Sequence, residues 1–164
     1  MARLFLRCLT LFALAMWFGG FTFYTAVVVR VGDRVLESRM DQGFVTQQVT
    51  DWLNLIGLMT LAILIFDLAA HWKPSTKRLR LAMSALWLVM VIAVGFLYVV
   101  HGDLDRLMDK ATMTVTDRSA FRPLHRRYLQ VSTVHWVACL SYIALMIQTW
   151  TRFDRATGRG NVPE

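Results

Sequence analysis

The chain has 164 residues, room for one domain and not comfortably two. Hydrophobic residues make up 56% and charged residues 18%, against roughly 45–50% and about 25% in an average soluble domain. That balance excludes disorder and argues against a soluble globule. The net charge of +7 does not point to nucleic acid. The basic residues gather at the ends of apolar stretches, where they meet anionic headgroups and set topology, and no basic stripe interleaves with aromatics.

Four windows lack any Asp, Glu, Lys or Arg: 8–29, 52–66, 81–100 and 128–151. Three reach the length of about 20 residues that a bilayer core requires. The second is shorter, but Asp51 and Asp67 bound it and apolar sequence continues to Trp72. These windows predict an all-α membrane protein, an antiparallel four-helix transmembrane bundle spanning 1–152. Its helices fall at about 5–29, 44–72, 79–101 and 123–151, followed by a polar tail at 153–164.

The basic, then apolar, N-terminus resembles a signal peptide. Such an apolar region usually runs 7–15 residues, whereas this one stays uncharged up to Arg30 through Trp17, Phe21, Phe23 and Tyr24. It is read as a retained first helix. A loop of mixed charge follows at 30–43, with a candidate short surface helix at 33–40. Phe44, Val45, Val49, Trp52 and Leu53 recur at helical spacing and open the second helix. Pro74 disfavours the helical conformation at Lys73 and ends that helix near Trp72. In the third loop, Leu104, Leu107, Met108 and Ala111 lie at i, i+3, i+4 and i+7 behind a capping Asp103. They predict a short amphipathic helix at the interface. Pro123 suits the first turn of the last helix.

With both termini inside, nine Lys and Arg fall on each side of the membrane. The short second loop holds Lys73, Lys77, Arg78 and Arg80 without an acid, which places that loop and both termini in the cytoplasm, in a bacterial inner membrane. Cys8 and Cys139 both sit in apolar windows and read as small packing residues rather than a disulfide. Ala15 and Gly19 form a small-x-x-x-small pair suited to close helix contact, within the bundle or with another copy or partner protein.

Lipid makes intramembrane polar residues costly, so they carry the information about function. His125, Tyr128, Ser132, His135, Cys139 and Tyr142 are spaced 3 or 4 apart and share one face of the fourth helix. Gln47, Asp51 and Asn54 do the same at the start of the second, and Tyr98 and His101 close the third. Antiparallel threading brings these ends to one side. A connected cluster of Asp51, Asn54, Tyr128, Ser132 and His135 is expected there, with Asp51 and His135 deep and His135 hydrogen-bonded and free of metal. The opposite half is drier, except for Asp67 with His71 at i+4.

Catalysis finds no support: there is no glycine-rich phosphate loop and no Gly-x-Ser-x-Gly, and Ser132 with His135 and a remote Asp51 makes a poor triad. The expectation is a non-enzymatic membrane protein without cofactor, an accessory subunit or a small membrane protein of unknown activity. Its partners are the lipid bilayer and a second membrane protein or another copy of itself. One alternative is a small-solute or ion site in the polar half. Another is haem b or a metal, with His101, His125 and His135 as candidate ligands; Asp103 and Asp105 offer oxygen ligands, though a solvated loop explains them as well. No Cys-x-x-Cys-His or His-Glu-x-x-His motif backs this.

Trp17-Phe18-Gly19-Gly20-Phe21-Thr22-Phe23-Tyr24, followed by Val27-Val28-Val29, resembles the opening of the transmembrane protein 205-like family (domain of unknown function 4149). Phe121-Arg122-Pro123-Leu124-His125 resembles that family's Phe-x-x-Leu-His before the last helix. Arg30 departs from the Pro that bacterial relatives often carry after the valines. The resemblance implies a four-helix membrane protein with no established activity, carries over no catalytic residue, and draws attention to His125.

Overall fold

A computed structural model describes residues 1–158 apart from 37, 73–74, 110–111 and 113. The uncharged first segment satisfies its backbone groups internally as one helix, α1 (Ala2–Val35). Two π turns interrupt it, Ala15–Gly19 and Tyr24–Val28. A π turn carries an extra residue and re-aims the side chains around it, often at functional sites. Nearby, the Thr22 and Thr25 hydroxyls donate to the Phe18 and Phe21 carbonyls at 2.7 and 2.9 Å, back-bonding that bends helices. α1 outruns its expected end until Leu36 turns extended at ψ 134°.

The second helix, α2 (Arg39–Ala70), begins ahead of Phe44. Ser38 caps it, its Oγ accepting from the Met40 N–H at 3.0 Å, and Asp41 complements the first turn. The candidate surface helix at 33–40 is thus divided between the end of α1 and the start of α2. Lys73 and Pro74, on which the end of α2 was argued, lie outside the described residues.

Thr76 caps α3 (Lys77–Arg106), accepting from the Leu79 N–H at 3.4 Å. The short interfacial helix predicted for the third loop does not form. Its first residues extend α3 instead, with Leu104 buried on the inner face and Asp103 paired to Arg106 at 3.2 Å rather than capping. Beyond them β1 (Met108–Asp109) pairs antiparallel with β2 (Thr114–Val115), Met108 opposite Val115. The helical apolar spacing lost to local chemistry: Thr112, Thr114, Val115 and Thr116 are β-branched and favour extended backbone. Thr116 N–H closes the turn on the Leu107 carbonyl at 2.9 Å. Ala111, the last member of the predicted set, lies outside the described residues.

The last helix, α4 (Arg118–Gly158), starts before Pro123, which sits inside it. Asp117 caps it, its Oδ1 accepting from the Ser119 hydroxyl (2.7 Å), the Ser119 N–H (2.8 Å) and the Ala120 N–H (3.1 Å). Those bonds, the Ser119 hydroxyl first, hold the Asp117 carboxyl below the usual carboxylate range. A depressed folded value means that the cap is in place above the unfolded pKa and lost as pH falls through the folded one. Hydrogen-exchange protection of the Ser119 and Ala120 amides, normalised to intrinsic rates, is therefore expected to fall only below about pH 4; Asp117→Ala abolishes it at every pH. Equal protection in the variant would count against this cap.

The polar tail expected from 153 is helical to Gly158, because Arg7 grips Asp154 with two bonds of 3.0 and 2.9 Å. Residues 159–164 lie outside the described residues. α3 and α4 share the longest seam, with α2 against α3 and α1 against α2. Trp136 Nε1 donates to Thr22 Oγ1 at 2.9 Å and ties α4 back to α1, completing a helical bundle. The core gathers Leu61, Leu64, Met90, Cys139, Tyr142 and Met146. Cys8 lies on the outer surface, and both cysteines are free.

Close approach of α1 to α2 does not use the Ala15/Gly19 pair, which leaves the pair to contacts outside the bundle. Ala15 and Gly19 face outward. The contact rests on Gly57, where a Cβ would lie 2.6 Å from Trp17 Nε1. One turn on, Thr60 Oγ1 donates to the Ala13 carbonyl at 3.2 Å. Phe12, Trp52, Phe66 and Ile92 point outward, and four helices are long and apolar enough to cross a membrane.

Candidate binding cavity

The polar residues of the end of α1, the start of α2, the end of α3 and the start of α4 surround one cavity of about 600 Å³. That size falls within the usual range for small-molecule sites, roughly 300–1,000 Å³. Its floor is set by Trp17, whose ring lies 4.2 Å from that of His135. Trp17 and Tyr24, one from each π turn of α1, both line it. Tyr24 is fixed by donating to Thr46 Oγ1 at 2.9 Å. Halfway up, Tyr128 donates to Asn54 Oδ1 in a long bond of 3.4 Å. Phe21, Leu53, Val94 and Leu97 supply apolar wall between these groups.

Polar satisfaction in the cavity is incomplete. Ser132 is 5% exposed, and its Oγ lies beside the Tyr128 hydroxyl without a hydrogen bond of ordinary geometry. His135 is 2% exposed, and its ring forms no hydrogen bond among the described residues and packs against the Trp17 ring. The expectation of a hydrogen-bonded His135 is therefore corrected. Helix α4 places the imidazole against an indole face, where packing satisfies the ring and leaves its nitrogens without a protein partner.

At the cavity's rim, four residues from two helices converge. Asp51 Oδ1 accepts from His101 Nε2 at 2.8 Å. Asp105 Oδ2 lies 3.7 Å from the same nitrogen, and Gln47 Nε2 donates to Asp105 Oδ1 at 2.7 Å. Gln47 and Asp51 are i and i+4 on α2, and His101 and Asp105 are i and i+4 on α3, so two one-turn pairs face each other.

The predicted cluster is thus brought together in part. Asn54, Tyr128, Ser132 and His135 all line the cavity. Asp51 does not go deep; its side chain is 61% exposed and it pairs with His101 on the rim. The α4 stripe runs from exposed His125 to fully buried Tyr142. His101, His125 and His135 each line the cavity, yet no hydrogen bond or ring contact joins two of them. His101 holds Asp51, His125 stacks on Phe121 at 5.7 Å, and His135 lies on Trp17.

In the drier half, Asp67 and His71 form the predicted pair, both nearly inaccessible. Trp150 Nε1 donates to Asp67 Oδ1 at 3.2 Å, a partner the sequence did not announce. Gly57 was also missed, since a lone glycine in an apolar run gives no sign of which indole will need its space.

No family model matches this chain, and no curated protein or solved structure matches it either.

Proposed function

We propose that this chain is an integral membrane protein that binds one amphipathic small molecule in the cavity, with no chemistry performed on it. The observation that carries the reading is the floor: Ser132 and His135 are buried and line the cavity, His135 forms no hydrogen bond among the described residues, and the Ser132 hydroxyl has only the neighbouring Tyr128 hydroxyl beside it, without a bond of ordinary geometry. Leaving such groups unpaired is costly, and a ligand oxygen placed between them removes that cost. The apolar wall above the floor suits a hydrocarbon body rather than an ion.

The pairings Asp51–His101, Thr60–Ala13 and Trp87–Leu61 support antiparallel threading of four spans. We place both termini in the cytoplasm of a bacterial cell on the charge of the second loop. The transmembrane protein 205-like assignment stays our reading, and both stretches that carry it, through Trp17, Phe21, Tyr24, Phe121 and His125, contribute to the cavity wall. An accessory-subunit role draws only on the outward apolar surface, which lipid covers equally well.

Native mass spectrometry of gently solubilised protein tests the proposal. Wild type is expected to retain one small molecule per chain. Ser132→Leu, which fills the floor, and His135→Phe are expected to lose it by at least about tenfold while remaining folded. A wild type that retains nothing, or variants that retain as much, would contradict the reading. An absorption spectrum of the same sample showing a haem Soret band would replace it with the haem b alternative and make His101, His125 and His135 the ligands to substitute.

A further inference from the structure

We infer that Asp51, His101, Asp105 and Gln47 form a binding site for one divalent first-row metal ion, Zn²⁺ or Mn²⁺, on the rim of the bundle. The inference goes beyond the cavity reading and does not depend on it: Gln47, His101 and Asp105 also line the cavity, but the ion needs no ligand in the cavity to bind. One oxygen of each carboxylate and one imidazole nitrogen lie within 4.8 Å of one another. Ligand atoms about 2.0–2.2 Å from a common ion lie at most about 4.4 Å apart, so a small side-chain adjustment closes the set around one ion.

Two further observations separate this cluster from an ordinary ion pair. Gln47 is 5% exposed, and its amide nitrogen is spent on Asp105 while its Oε1 is buried without a donor. Turned over, the same amide presents that carbonyl oxygen to the cluster as a fourth ligand. Charge is also unbalanced. Two carboxylates meet one imidazole, and among the described residues no Lys or Arg pairs with Asp51 or Asp105. Arg106, the nearest in sequence, is committed to Asp103 at 3.2 Å and points to solvent. A divalent ion neutralises both carboxylates and takes the imidazole in its neutral form.

The donor set selects the class of ion. One imidazole nitrogen with carboxylate and amide oxygens suits borderline and moderately hard divalent ions. It lacks the thiolates that copper(I) and iron–sulfur clusters prefer. The exposed Asp51 carboxylate provides the entry path, and the i, i+4 spacing on two packed helices holds all four donors on rigid elements.

Tag-free protein stripped with a chelator and dialysed against ZnCl₂ or MnCl₂ is expected to bind one ion per chain by elemental analysis. Asp51→Asn and Asp105→Asn, both near-isosteric, are each expected to weaken binding by at least about tenfold. Asp103→Asn, one residue set away on the same helix end, is expected to leave it unchanged. X-ray absorption of the loaded wild type should show one imidazole and otherwise oxygen ligands, an outcome that decides the matter even if a variant does not fold. Less than one ion per chain at saturation, sulfur or several imidazoles around the metal, or undiminished binding in both Asn variants would overturn the site. Metal analysis reads nothing about the amphiphile, so failure here leaves the cavity proposal standing, and the converse holds.

Discussion

Replacing His71 with Leu is expected to destabilise the bundle by about 3–5 kcal/mol, the range for breaking a buried ion pair from one side. Asp67 is 1% exposed and His71 2%. His71 Nδ1 lies 3.3 Å from Asp67 Oδ1 and donates to the Asp67 carbonyl at 2.9 Å. Without the imidazole, the Asp67 carboxylate keeps, among the described residues, the Trp150 indole N–H as its hydrogen-bond donor in a nearly water-free position. The double change His71→Leu with Asp67→Leu removes the carboxylate and the imidazole together and is expected to recover most of the loss. Thermal unfolding in detergent, followed by circular dichroism, measures all three. A single variant within about 1 kcal/mol of wild type, or a double variant no better than the single, would contradict this account of the drier half.

Gly57→Val is expected to cost about 1–3 kcal/mol through overpacking and to empty the cavity at the same time. A Cβ at this position would sit 2.6 Å from Trp17 Nε1 and 3.0 Å from Cδ1. Trp17 is buried at 6% exposure, so the indole has to move off His135 and into the space a ligand would fill. The control is Gly20→Ala. There the nearest atom to a new Cβ is Leu53 Cδ2 at 3.7 Å, an ordinary contact. Alanine is the better helix former by about 1 kcal/mol, so that change is expected to be neutral or mildly stabilising and to leave ligand retention intact. Equal stability and equal ligand content in the Gly57 and Gly20 variants would remove Trp17 from the cavity floor.

The helices were legible because lipid-scale apolar windows are a strong, nearly one-dimensional signal. Their ends were less so. Ser38, Thr76 and Asp117 each cap a helix, and short polar side chains of this kind occur in loops and caps alike. The third loop misled because Leu104, Leu107 and Met108 fit a helical period, while the β-branched residues just beyond them belonged to a hairpin. Period-based reading has no way to weigh those two signals without knowing where α3 stops.

Polar convergence in one half of the bundle was also legible, since it needs only spacing and alternating helix direction. What spacing leaves open is depth and orientation. Asp51 shares a helical face with Asn54, yet one lies on the rim and the other is buried at 7% exposure. The facing pairs Gln47/Asp51 and His101/Asp105 carried a usable signal, two i, i+4 polar pairs at helix ends that threading brings together. It was divided between a membrane stripe and an apparently solvated loop. The empty hydrogen-bonding valence of Ser132 and His135 lies beyond any sequence reading, because it depends on what the opposite wall does not supply.

The proposed ligand-binding cavity opens toward the first and third loops. Ser132→Cys in a Cys8→Ser background tests it most directly. The substitution is near-isosteric, and native Cys139, in the core, serves as an internal control. After delipidation, a small polar thiol reagent is expected to label position 132 only when applied from the face that also labels the first and third loops. Retained ligand should protect it, and Cys139 should stay silent. Labelling from the second-loop face, or no labelling of the delipidated protein from either side, would contradict the account.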